Sequence, residues 1–465
     1  MSLHRADPRW SSPILFENRL GFYCQGLDRV CPIQATVCLD YGAEYESIST
    51  AEGMPFFTIE QTTRERIAWP DEAIEQALPA VRTRLDPFLS QRATSWTIVS
   101  GLPCQAMERF AAEKNYRWIG PPFALAQWLN HKPNLFSGLR ELGLPVMNGC
   151  WRPLPQLTYE ELRNSIAARF VAQLPVGAAG SGTAFIDTRQ DYLDACLRFG
   201  DQPVWITPNL GPLSLNVNAV TLQDAVYVSW PSVQLVGLAG LGATPGQYCG
   251  NDFAAAEDLE SSIVEEARRQ TLCVGEWLSG LGFQGLFGLD FVVEQTSGML
   301  YVVDLNPRWQ GSTHLQIQSE QDAGRIPLIA AYLLARLGEI GNTWLANQAD
   351  LFFQPITVSQ MILRWNLGAQ GKVNGELEPG VYSSSVFQRL HGGLRMDEII
   401  GSQQIIVTGA VPSAGWKLRC GASLHRLYSR RRAISANWLA LEPWTQLPIT
   451  SCLHSLDITL LNGKP

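Results

Sequence analysis

The sequence has little of what marks a zinc-framed, disulfide-stapled or membrane-spanning protein. Its ten cysteines include no C-x-x-C pair, so neither a cysteine metal frame nor a disulfide scaffold is expected, and reduced thiols in a cytoplasmic protein are the simplest reading. No apolar run approaches the ~20 residues that a membrane-spanning helix needs. The first eight residues, Met1 to Pro8, carry no apolar signal core. Charged residues make up only 17% of the chain and the net charge is −8, which speaks against a general nucleic-acid binder. The six histidines form no motif, and no repeat of solenoid period is visible.

What is present is an ordinary globular composition. Hydrophobic residues reach 46% over 465 residues, too apolar for disorder and long enough for two or three domains. The most informative stretch runs from Gly285 to Thr313, GLFGLDFVVEQTSGMLYVVDLNPRWQGST. Leu289 to Glu294 and Met299 to Leu305 are two extended apolar runs. The polar turn between them ends at Gly298, which is free to take a positive φ. Antiparallel pairing would set Asp290 beside Asp304, with Asn306 on the same face as Asp304. Two carboxylates and an amide oxygen make a hard-oxygen site of the kind Mg²⁺ prefers, usually completed by water and substrate phosphate. Arg308 adds a planar donor fork suited to a phosphate gaining charge during transfer. A surface hairpin with two solvated aspartates is the alternative. Against it, both acids are embedded among Leu, Val, Phe and Tyr, and Asn306-Pro-Arg-Trp309 stops the second strand abruptly.

The pair GLDF…YVVDLNPRWQGST resembles the metal-binding end of the ATP-grasp ligases. The resemblance implies Asp290, Asp304 and Asn306 as metal ligands and Arg308 as the transition-state arginine, with ATP and Mg²⁺ as cofactors. It also implies an α/β (α+β) ATP-grasp fold: a Rossmann-like domain over residues 1–125, a first lobe over 126–205, a second lobe over 206–345 and a β-rich region over 346–465. The family chemistry transfers the γ-phosphoryl group of ATP to a substrate oxygen, a carboxylate or an enol. An amine then displaces phosphate, so that a C–N bond, ADP and Pi result. Small-molecule substrates, an amino acid or amine plus an acceptor, are the expected partners, with no nucleic acid and no membrane; a homodimer is a further expectation. The chain length argues against a biotin-dependent carboxylase with appended domains. Mycosporine-glycine-forming ligases are a narrower candidate, similar in length. A non-catalytic nucleotide-binding regulator and a small-molecule kinase are the alternatives.

Further segments fit the same resemblance. Lys132 precedes a helix that ends at Gly143-Leu-Pro145, in the place where the family sets a Lys on the ATP phosphates. Gly177, Gly180, Ser181, Gly182 and Thr183 lie in a small-residue loop between two strands, suited to close approach of backbone N–H groups to phosphate. A P-loop would need Lys where Thr183 stands and a helix directly after it. Gln173 occupies the position of a family Lys on the strand before this loop and brings a hydrogen bond but no charge. Thr207, Asn209 and Leu210 resemble the hinge that holds adenine. Asn216 and Asn218 alternate on a strand that is expected to face the site, and Gly237 to Gly250 is a candidate acceptor loop. Helices are expected over Asp71 to Phe88 and from Asp252 to Gly280. His314 is a weak substrate-contact candidate, and Arg430-Arg-Arg432 reads as a solvated face.

Overall fold

The computed structural model describes residues 13–66, 73–177, 180, 182–223 and 225–461. The chain begins with a parallel sheet of five strands. In spatial order these are Phe56–Thr58, Ile33–Cys38, Ile14–Asn18, Thr97–Ser100 and Arg117–Ile119. Its central strands are nearly continuous apolar runs buried on both faces, as parallel strands flanked by helices must be. Helices Ala73–Arg92 and Gln105–Lys114 flank it. The first of these was expected from Asp71, and residues 71 and 72 lie outside the described residues. The strand Ile14–Asn18 is followed by a 3₁₀ turn over Gly21–Cys24.

Helix Lys132–Glu141 leads into a four-stranded antiparallel sheet. Its spatial order is Cys150–Pro153, Pro203–Pro208, Phe170–Gln173, Thr183–Ile186. Two helices beside it start with capping boxes, Thr158 with Glu161 and Thr188 with Asp191. Each box satisfies two backbone N–H groups that a helix start would otherwise leave unpaired.

The remainder is dominated by one antiparallel sheet. From Leu300–Asn306 it passes through Gly285–Val293, Ser214–Leu222, Ser232–Val236 and Tyr248–Asp252 to Ser359–Arg364 and Ser423–Ser429. Pairing of Tyr248–Asp252 with Ser359–Arg364 carries this sheet across residue 345 without a break. One buried core runs with it, from Leu135, Phe136 and Leu139 through Leu289 and Phe291 to Leu424 and Leu427. Each such side chain contributes about 1.5–3 kcal/mol on burial, so the strands after 346 are held to the lobe before them by a shared core.

One expected helix start is corrected. Asp252 ends a strand, and helix Ser261–Gly280 begins nine residues later, after a 3₁₀ turn over Ala255–Asp258. The Asp252 carboxylate is fully buried and accepts the backbone N–H groups of Ala255, Ala433 and Ile434 at 2.9, 2.6 and 3.0 Å. Satisfying three orphan donors there outweighs the helix-dipole preference that placed it at a helix start.

Candidate functional site

The hairpin forms in the expected register: Asp290 lies directly opposite Asp304, and Gly288 opposite Asn306. Gly298 closes the turn at φ 71°. The two carboxylates are supported differently. Asp290 accepts amide donors from Asn216 at 2.6 Å and Gln234 at 2.9 Å on one oxygen, and from Asn306 at 3.3 Å on the other. Asp304 accepts the Lys132 ammonium at 2.6 Å. Burial, and then the neighbouring charge of Asp304, push the Asp290 carboxyl up to about 6. Loss of hydration is the larger cause, and the like charge opposite adds to it. Arg308 donates to the Asn306 amide oxygen at 2.8 Å and to the Trp309 carbonyl at 2.9 Å. Arg308 is half-buried, and desolvation lowers its pKa against the raising pull of Asp304 and Asp290.

Behind Asp290 lies a buried polar chain that the sequence did not reveal. Asn216 also donates to Gln310 at 2.7 Å and accepts from Ser312 at 2.8 Å. Gln310 donates to Asn218 at 3.0 Å, Asn218 to Gln316 at 2.8 Å, and Gln316 to Glu320 at 2.8 Å. Polar side chains this deep persist only when nearly all their donors and acceptors are met. The alternation of Asn216 and Asn218 was the available signal: Asn216 faces the cleft, while Asn218 holds the chain behind it.

These groups open into a cleft of about 890 Å³ between the two lobes. Of the residues expected to hold metal or nucleotide or to act in catalysis, those that the structure describes line it: Lys132, Gln173, Gly177, Gly180, Gly182, Thr183, Thr207, Asn209, Leu210, Asp290, Asp304, Asn306 and Arg308. Ser181 lies outside the described residues. Lys132 is the first residue of its helix, so its side chain spans from one lobe to the acid of the other. Gln173 donates to Thr183 across the paired strands at 3.3 Å. Gly180 sits at φ 83°, and a Cβ there would come within 2.0 Å of the Gly246 carbonyl oxygen, so the glycine loop lies against the segment expected as an acceptor loop. Leu174, Leu210 and Val292 add apolar lining.

Two other expectations are corrected. His314 is fully buried, stacks on Tyr23 and shares a 2.6 Å hydrogen bond with Tyr428; it is a core residue because the helix Thr313–Asp322 turns that face inward. Arg430 to Arg432 is not a free solvated face. Arg430 pairs with Asp322 at 2.7 Å, Arg432 pairs with Asp258, and Arg431 lies over the Trp444 ring. The residues that sequence reading missed are Gln234, Gln310 and, from the N-terminal domain and the last strands, Arg19, Tyr23, Arg364 and Arg426, all of which line the cleft.

Two carboxylates and an amide oxygen at adjacent strand positions fit Mg²⁺, which is content with one or two carboxylates when water and phosphate complete its shell. Among the described residues no cluster of three or more His, Cys, Asp or Glu offers a competing all-protein cage. All ten cysteines are free thiols, and no described helix is long and apolar enough to cross a membrane.

A Rossmann-like sheet, a strand–glycine loop–strand lobe and a paired-acid hairpin about one cleft define the ATP-grasp architecture. Residues 147–312 match the family model of the ATP-grasp domain. Among curated proteins it is 22% identical over 201 residues to a [butirosin acyl-carrier protein]–L-glutamate ligase of Niallia circulans, covering 42% of this chain and 47% of that one. It is 42% identical over 79 residues to an L-propargylglycine–L-glutamate ligase of Streptantibioticus cattleyicolor, covering 17% of this chain and 15% of that one. The chain thus spans less than half the length of these relatives in either match. Among solved structures, the biotin carboxylase of Campylobacter jejuni superposes with a TM-score of 0.59 at 13% identity, over 97% of this chain and 92% of that one. The carboxyaminoimidazole ribonucleotide synthase of Aspergillus clavatus gives 0.54 at 14% identity, over 96% and 100%. At these identities the likeness shows the fold alone.

Proposed function

We propose that this protein is an ATP- and Mg²⁺-dependent, ADP-forming ligase that phosphorylates an oxygen of a small molecule and joins the carbon bearing that oxygen to the amine of an amino acid, with phosphate as the leaving group. The observation that supports it most is the facing pair Asp290 and Asp304, with Asn306 and Arg308 following and Lys132 reaching Asp304 from the other lobe. Asp290, Asp304 and the Asn306 oxygen would hold Mg²⁺, whose contribution when bound is to neutralise charge on the transferring phosphoryl group. Lys132 serves the phosphates from the opposite side. Backbone N–H groups of Gly177, Gly180, Gly182 and Thr183 cover them. Thr207, Asn209 and Leu210 hold the base, and Gln173 supports the loop strand. Arg308 stabilises negative charge where it develops. The protein's task here is positioning and electrostatics, so no cysteine nucleophile is needed.

L-Glutamate is the first amine to test, because both curated relatives are named as glutamate ligases. The narrower mycosporine-glycine reading, with an enol as the activated oxygen, is decided by including glycine and a cyclohexenone in the same screen. The experiment is ADP release from purified protein with Mg-ATP and paired amines and acceptors, with products identified by mass. An amide or imine product separates the ligase from a kinase. Absence of ADP release from every pair, together with no rise in melting temperature at millimolar Mg-ATP, overturns the reading. The limits 1–125, 126–205, 206–345 and 346–465 serve as proposed working units, and a homodimer in the cytoplasm is the proposed setting, checked by light scattering and by fractionation.

A further inference from the structure

The strands after residue 346 bring two arginines to the cleft that the reading above does not use. Arg364 ends the strand Ser359–Arg364, and Arg426 lies mid-way along its neighbour Ser423–Ser429. Arg364 is occupied by backbone: its guanidinium donates to the Tyr248 carbonyl at 2.6 and 3.0 Å and to the Gly421 carbonyl at 3.3 Å. Arg426 has far less. It is 4% exposed, it donates to the Tyr23 hydroxyl at 3.4 Å, and its Nε and Nη1 have no hydrogen-bond partner among the described residues. Its guanidinium carbon lies 5.0 Å from the Phe22 ring centre and 5.6 Å from that of Tyr23. Ring faces attract the charge but accept none of its N–H hydrogens in line. Neither arginine forms an ion pair with a carboxylate among the described residues. Tyr23 and Tyr248 lie within electrostatic reach of both, and of Arg308 as well. A buried cation with idle donors is costly to keep unless an anion comes to it, and a planar fork of donors matches a carboxylate best.

We propose that Arg426, backed by Arg364, binds a carboxylate of the non-nucleotide substrate, so that the amine partner is an amino acid recognised by its free carboxylate and not a simple amine. This rests on the ligase reading and gives the C-terminal strands a part in substrate choice. The Arg426 guanidinium lies over the rings of Phe22 and Tyr23 from the N-terminal domain, so the subsite joins the two ends of the chain.

The test is calorimetric titration of the full chain, saturated with Mg-ADP. The probes are L-glutamate, L-glutamine and isoglutamine, which differ only in which carboxylate is amidated. L-Glutamate is expected to bind, and one of the two amides to bind about tenfold or more weakly, since a hydrogen-bonded charge is lost. R426Q should weaken L-glutamate by a similar factor, abolish the preference over that amide, and leave Mg-ADP affinity unchanged. R426K, which keeps the charge without the fork, should fall between. Unchanged Mg-ADP binding in either variant also shows that it is folded. R426Q that binds L-glutamate like the parent overturns the proposal. So does R426Q that loses Mg-ADP affinity, because the arginine would then serve the nucleotide phosphates or the fold. If the parent binds Mg-ADP but not L-glutamate, the remaining proteinogenic amino acids replace it as probes. Failure of all of them overturns the carboxylate subsite while leaving the ligase reading standing. Failure of the parent to bind Mg-ADP overturns the ligase reading itself.

Discussion

Two stretches of one sheet line the same cleft with opposite charge, and the protein treats them differently. On the hairpin, Asp290 is met by three amide donors and Asp304 by the Lys132 ammonium. On the last strands, Arg364 is met by backbone carbonyls, while Arg426 retains two nitrogens with no partner among the described residues. The acids are a like-charge pair whose positions are fixed by neighbours before any ligand arrives. The arginine packs on Phe22 and Tyr23 while its Nε and Nη1 have no hydrogen-bond partner among the described residues. Preorganisation by hydrogen bonds suits a group that must hold its geometry through phosphoryl transfer. Idle donors suit a group that selects among ligands.

The strongest way to break the contrast is to neutralise the acidic side. Asp304→Asn and Asp290→Asn each keep shape and remove one charge, and each should lower steady-state ADP release roughly a hundredfold or more. Asp290→Asn should leave the fold intact, because it relieves a repulsive pair. Near-normal turnover from both, with unchanged circular dichroism, would show the hairpin to be structural only. Next comes Arg308→Lys. A point charge cannot replace the fork that spans the Asn306 oxygen and the Trp309 carbonyl. A loss of roughly tenfold or more is expected, in kcat more than in KM for ATP if the contact tightens in the transition state. An equal rise in KM with kcat unchanged would reassign Arg308 to ground-state binding.

Gly288→Ala probes the scaffold behind the acids. Its added Cβ would lie 1.4 Å from the Gln310 amide nitrogen, and Gln310 holds Asn216, which in turn holds Asp290. Overpacking of this kind costs about 1–3 kcal/mol, readable as a lower urea midpoint, and turnover should fall with it. A variant of parental stability would mean that the polar chain yields easily and does not hold the acid in place.

The far end of that chain should show itself only in the pH dependence of stability. Burial pushes the Glu320 carboxyl up to about 7. Folded protein therefore keeps a proton that unfolded chain releases from about pH 4.5 upward. This contribution favours folding at low pH and is lost as pH rises toward about 7, above which both states are ionised and the slope ends. Its full span is on the order of 3–4 kcal/mol. Glu320→Gln should flatten the decline in unfolding free energy between pH 5 and 7, measured by urea titration at fixed ionic strength. An unchanged slope would place the titration elsewhere.

Legibility followed range. The hairpin could be read because its information is local: a period of two, a turn glycine and two acids at mirror positions fix which side chains face one another. The glycine loop, the hinge at Thr207 to Leu210 and Lys132 were read from the resemblance to known ATP-grasp ligases, and the structure brings all the described ones to one cleft. Reading failed where a residue's role depends on a distant partner. Asp252 looks like a helix start until the backbone of Ala433 and Ile434 arrives to use its carboxylate. His314 looks available until Tyr23 and Tyr428 close over it.

By itself, then, the sequence determined the order of elements, the register of Asp290 against Asp304, and the chemistry that such a pair supports, because strand alternation and turn conformation are decided within a few residues. Tertiary structure alone decided which lobe supplies the ammonium that faces Asp304, which amides hold Asp290, and which arginines of the last strands reach the cleft. Those pairings join residues 74, 172 or 403 positions apart, and burial sets their strength: a charge or an amide counts for little in water and for much once solvent is excluded.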